Sequence, residues 1–266
     1  MVKGSRVAPS TKFEQVLHAS AQMPGVRIDR DKFLRSELKR YCPVDQVDLA
    51  VATTPAEAGV PIDVVSKIAN SVIKNETTRV TTISAVAGIP GGFAAAGTVP
   101  ADLAQYYGHV LRIVQKLAYL YSWPDLFDDD SDGLDSATES MLTLFIGVMF
   151  GVNAAQAGVA QVSALIAKQV AKKLPQQALT KGAVYPVVKK VATLLGIQMT
   201  KQIFAKSAAK VVPLVGAVVS GSLTLATFMP MSHRLKKHLA TLPLTNPVVD
   251  VNTTPTVPQS NASVSS

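Results

Sequence analysis

Apolar residues recur at three- and four-residue intervals along most of this chain, while the alternation that half-buried strands require is scarce. The pattern predicts an all-α protein, a multi-helix bundle. Asp29 suits the start of an early helix, and Cys42-Pro43 suits its end, because the residue before a proline is pushed out of the α region. The short helices predicted in this part of the chain cover 11–22, 29–41 and 44–52.

Two longer helices follow, and an apolar segment rich in Gly and Pro, 87–103, separates them. Pro61 suits the first turn of the earlier helix. The later helix, over 100–122, has the clearest amphipathic pattern in the chain. Its apolar stripe is Leu103, Tyr107, Val110, Val114, Leu117 and Tyr121, and its polar stripe is Asp102, Gln105, His109, Arg112 and Lys116.

The second half begins with an acidic loop, 123–136, and continues into the densely apolar run MLTLFIGVMFGV at 141–152. An amphipathic helix is predicted over 184–198, and a short basic helix lies around 234–237. Pro, Thr, Ser and Asn without periodicity then predict a disordered C-terminal tail. The predicted organisation is 1–60 for the short N-terminal helices, 61–240 for a helical domain and 241–266 for the tail.

Three segments of more than 20 residues carry no charge, namely 80–101, 140–167 and 211–233. Their length alone would permit membrane spans. Each contains helix breakers or polar side chains that would need protein partners at bilayer depth, so we interpret them as buried core or interfacial helices. Gly147 and Gly151 form a GxxxG pattern, which permits close helix packing in either setting.

The cysteine content and the N-terminus both indicate where the protein resides. Cys42 is the only cysteine, which excludes an internal disulfide and every multi-thiolate metal site and fits a reducing compartment. The N-terminal residues lack the uninterrupted apolar stretch of a secretory signal. We therefore expect a cytoplasmic protein.

The net charge of +8 conceals an asymmetry between the two halves. Between Ser140 and Val249 there are 12 Lys or Arg and no Asp or Glu, whereas residues 1–139 sum to −3. Solvated helices normally mix the two signs, because opposite charges one turn apart support a helix. An anionic partner is therefore expected for the second half.

We expect these basic residues to bind an anionic surface, with the inner face of the cell membrane as the leading candidate. An acidic protein partner is the alternative, and lysines that only solubilise the helices are a third interpretation. Nucleic acid is disfavoured, because the aromatic residues are not interleaved with the lysines as stacking platforms would be. The residues in question are Lys168, Lys172, Lys173, Lys189, Lys190, Lys201, Lys206, Lys210, Arg234, Lys236 and Lys237.

Four stretches of the chain resemble the EcsC family of bacterial proteins. They are AGIPGG at 87–92, TVPADLAQYYGHVLRIVQKLAYLYSWPDLF at 98–127, LFIGVMFGV at 144–152 and PLVGAVVSGSLTLATF at 213–228, in the order that the family has them. The resemblance covers about residues 80 to 240. It implies a helical domain associated with a transport system, with no agreed activity and no established catalytic residues. The acidic insert after Phe127 departs from the family.

The insert DDDSDGLDSATE, 128–139, fits the pattern of a calcium-binding EF-hand loop. Asp128, Asp130, Asp132 and Glu139 would supply the oxygen ligands. Its context argues against the site, because Pro124 interrupts the incoming helix and no second loop is present to pair with it. The alternative is a solvated acidic loop that caps the following helix. We therefore expect no cofactor, with Ca²⁺ as the alternative.

Asp102, His109 and Arg112 share one helical face and form a candidate polar site, which could in principle do acid–base chemistry. The simpler interpretation is a polar helix face. Phosphate-binding, dinucleotide-binding and serine-hydrolase motifs are all absent from the sequence. We therefore predict a non-enzymatic protein at the membrane periphery, with a soluble protein-interaction module as the alternative and an uncharacterised enzyme ranked after both.

Overall fold

The computed structural model describes residues 12–86, 101–127, 134–169, 173–209 and 216–245, with side chains over 12–80, 103–127, 134–168, 173–198 and 226–245. These residues form ten α-helices and no strand, which confirms the predicted all-α bundle. The helices are α1 (Lys12–Ala21), α2 (Arg30–Leu38), α3 (Val44–Ala52), α4 (Ile62–Val86), α5 (Ala101–Leu120), α6 (Ser136–Met149), α7 (Asn153–Gln169), α8 (Gln176–Thr180), α9 (Tyr185–Ala209) and α10 (Gly216–Leu239).

Local sequence signals set several of the helix starts. The Asp29 carboxylate accepts a hydrogen bond from the Lys32 amide at 2.9 Å and so caps α2, as predicted. Asp135 caps α6 in the same way, accepting from the amides of Ala137 and Thr138 at 2.7 and 3.0 Å. Because of this cap, α6 begins before the apolar run that the sequence pattern singled out.

The C-terminal helices are longer than the sequence pattern predicts. α9 continues to Ala209, past the predicted end at residue 198. The predicted short basic helix is the last part of α10, which continues through Pro230. Pro230 is exposed, so the carbonyl group that loses its amide partner there lies on the solvent side of the helix.

α5 and α6 form the centre of the hydrophobic core. Residues 141–149 of α6 are all buried, so the densely apolar run is a core helix within the protein. The rings of Trp123 and Phe145 meet edge to face with centroids 4.9 Å apart, and Tyr107 stacks on Phe150 at 6.5 Å. α6 contacts α5 and also α7, α8, α9 and α10, so the C-terminal helices are arranged around it.

The absence of a side chain at Gly147 lets α6 approach two neighbours closely. A Cβ atom there would lie 2.7 Å from the Cβ of Ala155 on α7 and 2.5 Å from Cγ1 of Val191 on α9. Gly151 has a different role, since it follows the end of α6 with a φ of +80° that favours glycine. Of the two glycines in the GxxxG pattern, Gly147 thus permits close packing and Gly151 ends the helix.

Two arginines donate to the last carbonyl groups of other helices. Arg30, which is 9% exposed, donates to the carbonyls of Val51 and Thr53 at 2.8 and 2.6 Å and so completes the end of α3. Arg234 donates to the carbonyl of Met149 at 2.5 Å, at the end of α6. A cation at a helix C-terminus also interacts favourably with the helix dipole.

The N-terminal helices share the core with the rest of the chain. α1 packs on α5 and α9, and α2 packs on α3 and α5. Gln115 of α5 fastens the α1–α2 loop, accepting from the Ile28 amide at 2.8 Å and donating to the Val26 carbonyl at 2.9 Å. One continuous hydrophobic cluster therefore spans the boundary that the sequence pattern placed at residue 60.

Part of the predicted tail is packed on the bundle. Leu242 is 3% exposed, and the Thr245 hydroxyl donates to the Leu239 carbonyl at 2.8 Å. The rest of the predicted tail and most of the predicted Gly/Pro-rich break at 87–103 lie outside the described residues. Within the described part of the chain, none of the helices combines the length and the apolar character that a membrane crossing requires.

A Gly147→Ala variant tests the close packing of α6. The added methyl group has no free space, so we expect the free energy of unfolding to fall by about 2 kcal/mol. Gly196→Ala on α9 is the matched control, because its Cβ would meet nothing within 4 Å, and it should stabilise the helix by up to about 1 kcal/mol. Chemical denaturation measures both. Equal effects of the two variants would contradict the described packing.

Candidate functional site

Glu76 is a buried carboxylate on the apolar stripe of α4. It follows Val65, Ala69 and Val72 and precedes Val80 at helical intervals, and these four neighbours are all buried. The Glu76 side chain is 1% exposed. An ionised group at this depth is stable only when it is paired and hydrogen-bonded.

Three basic side chains of α5 supply the partners of Glu76. His109, Arg112 and Lys116 are spaced three and four residues apart, so they share one face of the helix. One carboxylate oxygen, Oε1, lies 2.5 Å from Lys116 Nζ and 3.3 Å from Arg112 Nη2. The other, Oε2, lies 3.4 Å from His109 Nδ1. We call these four residues the Glu76 cluster.

The cluster keeps Glu76 ionised. Burial would raise the pKa of its carboxyl group, but the hydrogen bond with His109 and the charges of Lys116 and Arg112 outweigh burial and hold that pKa well below its ordinary value. Burial also lowers the pKa of the Lys116 ammonium group, and Glu76 partly offsets this. A carboxylate with so low a pKa is a weak base, so the arrangement favours an ion-pair role over proton transfer.

The structure brings together two of the three residues predicted as a polar site. His109 and Arg112 meet at Glu76, whereas the side chain of Asp102 lies outside the described residues. Sequence reasoning missed Glu76 and placed Lys116 only on the polar stripe of α5. The signal was present, because Glu76 interrupts an apolar stripe of α4 at a position where a charge needs a partner.

A second feature is the outer face of α9, which we define by Lys189, Lys190, Thr193, Leu194 and Ile197. All five side chains are exposed. The exposed fraction is 37% for Leu194 and 50% for Ile197, which is large for apolar residues of a packed helix. The opposite side of α9 is buried against α6 and α7. This surface therefore combines adjacent positive charges with uncovered apolar groups.

Tyr185 begins the same helix and interacts with this surface. The ammonium group of Lys189 lies 4.8 Å from the centroid of the Tyr185 ring, a cation–π contact. The contact orders the stem of Lys189 along the helix. Its charge stays exposed to solvent.

The other basic residues predicted to bind an anionic surface differ in their availability. Lys168, Lys173 and Lys237 are exposed. Arg234 caps α6, and Lys236 donates to the Asn70 side chain of α4 at 2.7 Å, so both also hold the bundle together. Lys172 and Lys210 lie outside the described residues, as do the side chains of Lys201 and Lys206 on α9.

Lys168 borders a cleft of about 800 Å³ between the end of α7 and the α3–α4 connection. Asp31, Glu57 and Asp125 also line this cleft. Lys168 therefore lies among acidic groups, unlike Lys189 and Lys190 on the outer face of α9.

The predicted calcium loop falls mostly outside the described residues, which include neither Asp128, Asp130 nor Asp132. Glu139, the predicted last ligand, lies in the first turn of α6 with its Oε2 3.3 Å from His18 Nε2. Among the described residues, no group of three or more acidic, His or Cys side chains is placed to hold a metal ion. Calcium binding stays a prediction.

No protein-family model, curated protein or solved structure matches the chain. The fold and the two features above define an all-α helical bundle with a buried ion-pair cluster and a basic, partly apolar helix face.

A Glu76→Gln variant tests the Glu76 cluster. It leaves Lys116 and Arg112 without their counterion, and we expect about 3 kcal/mol lower stability at neutral pH. The pKa of Glu76 is lower in the folded protein than in the unfolded chain, where it has the ordinary value of about 4.5. The stability that ionised Glu76 contributes is therefore fully present above about pH 4.5 and is lost as the pH falls toward the pKa of the folded state. The difference between wild type and variant should shrink by about 2 kcal/mol between pH 7 and pH 3.

Denaturant unfolding at the two pH values measures this difference. Glu57→Gln is the matched control, because Glu57 is exposed and its side chain forms no ion pair within the described part of the chain. A difference between wild type and Glu76→Gln that does not change with pH would show that Glu76 is not the titrating group.

Proposed function

We propose that this protein is a non-enzymatic, membrane-peripheral protein that binds an anionic surface through the outer face of α9. The observation that carries the proposal is the pair of exposed apolar residues, Leu194 and Ile197, one and two turns after two exposed lysines. A helix surface of this kind suits the boundary between lipid headgroups and acyl chains.

The two parts of the surface contribute different interactions. A lysine near an anionic leaflet contributes about 1 kcal/mol, and its long stem lets the charge remain among the headgroups while the apolar groups go deeper. Burying Leu194 and Ile197 contributes at most about 3 kcal/mol more, since both are already partly covered by the protein. Salt screens the first contribution but not the second.

Lys189 and Lys190 alone therefore give weak binding, and stable attachment needs further charges. The acid-free run between Ser140 and Val249 supplies them without any carboxylate that would be repelled by the surface. Lys181, Lys173 and Lys237 are exposed members of this run. Reversible attachment to the inner face of the cell membrane is the localisation that we propose.

The proposal fits the resemblance to the EcsC family, which implies association with a transport system. Family membership and that association remain predictions. An acidic protein could bind the same lysines, and it is the alternative partner. Uncovered Leu194 and Ile197 favour the membrane, because a partner selected by charge alone would not require exposed apolar side chains beside the lysines.

Flotation with liposomes tests the proposal. At low salt the purified protein should rise with vesicles that contain anionic lipid and should remain at the bottom with neutral vesicles. Lys189→Glu with Lys190→Glu should lower the apparent partition coefficient at least about tenfold, because four units of charge change at the surface. Leu194→Ser with Ile197→Ser should remove the part of the binding that resists salt.

The matched control is Lys39→Glu with Lys74→Glu, which changes the net charge equally at exposed positions on another part of the bundle. This control should float nearly as well as wild type. If wild type stays at the bottom with anionic vesicles at low salt, the membrane proposal fails and the acidic protein partner replaces it.

A further inference from the structure

The Glu76 cluster contains more positive charge than its carboxylate can neutralise. Arg112 and Lys116 both pair with Glu76, and Arg79 lies one turn after Glu76 on α4. The charge of Arg79 is close enough to lower the pKa of Lys116, after the larger effects of burial, Glu76 and Arg112. The three cations and one carboxylate leave an excess of two positive charges, before any protonation of His109.

In the backbone of α5, Asp102 lies seven residues before His109, about 10 Å along the helix axis, and Lys116 lies a further two turns away. Burial lowers the pKa of Lys116 most. Among the described residues, Glu76 is the acidic group that raises this pKa, while Arg112 and Arg79 lower it.

Several donor groups of the cluster have no acceptor in the described part of the chain. Lys116 has three N–H groups, of which one donates to Glu76. Arg112 donates from Nε and Nη2 to Glu76 and from Nη1 to the Gly25 carbonyl, which leaves one N–H on each terminal nitrogen. Arg79 forms no ion pair there and is exposed.

The cluster is open to solvent only at its edge. The side chains of His109, Arg112 and Lys116 are 11, 18 and 14% exposed, while Glu76 is covered. The α1–α2 loop, fastened by Gln115, closes one side, and the ring of Phe33 lies 5.9 Å from Lys116 Nζ. An ion would approach the donors at the exposed edge of these three basic side chains.

We propose that the Glu76 cluster and Arg79 together bind a phosphoryl group. A tetrahedral phosphate carries nearly two negative charges at neutral pH and several acceptor oxygens, which match the excess charge and the free donors of arginine and lysine. The phosphoryl group comes either from a free anion or from a phosphorylated headgroup. This site does not include the outer face of α9, so phosphate binding and the proposed membrane attachment can be tested independently.

Calorimetric titration with inorganic phosphate tests the site, at pH 7.5 and at an ionic strength fixed with chloride. Wild type should bind phosphate with a Kd in the millimolar range or below. Arg79→Gln should raise this Kd about tenfold, since it removes one charge-assisted hydrogen bond. Among the described residues Arg79 is exposed and forms no ion pair with Glu76, so this variant should keep the fold, and circular dichroism checks that it does.

Lys74→Gln is the matched control, because it removes one exposed charge from α4 without facing the cluster. It should leave the Kd unchanged. Absence of phosphate heat in wild type at millimolar concentrations, or equal losses in Arg79→Gln and Lys74→Gln, would overturn the proposal.

Titration with glycerol 1-phosphate distinguishes the two sources. A headgroup source predicts tighter binding than inorganic phosphate, and a free-anion source predicts weaker binding, with both sensitive to Arg79→Gln. Lys189→Glu with Lys190→Glu should leave either Kd unchanged. A wild type that binds phosphate but does not float with anionic vesicles would therefore support this site and reject the membrane proposal.

Discussion

The pairing of Glu76 with α5 is the interaction on which the arrangement of the bundle depends most. It places a full charge in the interior between α4 and α5, where His109, Arg112 and Lys116 pair with it among the described residues. α5 in turn packs against α1, α2 and α6, while α4 packs against α10. A shift of α4 along α5 would leave this carboxylate buried without its partners, and breaking a buried ion pair costs about 3–5 kcal/mol. The cluster therefore favours one register of α4 and α5, and with it one arrangement of the helices packed against each.

Much of the fold could be predicted from the sequence, because amphipathic periodicity and helix caps are local. The stripe of α5, the Asp29 cap and the core position of 141–149 all depend on residues within a few turns of one another. The candidate site could be predicted only in part. The spacing of His109 and Arg112 is visible in one helix, but their partner lies more than 30 positions earlier on α4. Likewise, nothing local shows that Arg234 caps α6, since the residues that meet are 85 positions apart.

The basic residues of the second half have two different structural roles, and the number of charges alone does not show which role each residue has. Arg234 and Lys236 donate inward to α6 and α4 and so contribute to the bundle itself. Lys189 and Lys190 extend outward beside uncovered Leu194 and Ile197. Only the second kind is available to a partner, which is why the proposed function rests on the outer face of α9 and not on the net charge. The same distinction applies to the first half, where Lys116 pairs inward and Arg79 remains exposed.

The most direct measurement of the central claim is the environment of the outer face of α9 when vesicles are present. In a Cys42→Ser background, Ile197→Cys would carry an environment-sensitive fluorophore, and Val44→Cys, at a position that is 77% exposed on α3, would serve as the control. Anionic vesicles at low salt should shift the emission of the label at position 197 to the blue and leave that at position 44 unchanged. An unchanged spectrum at position 197, or equal shifts at both positions, would contradict membrane binding through this face.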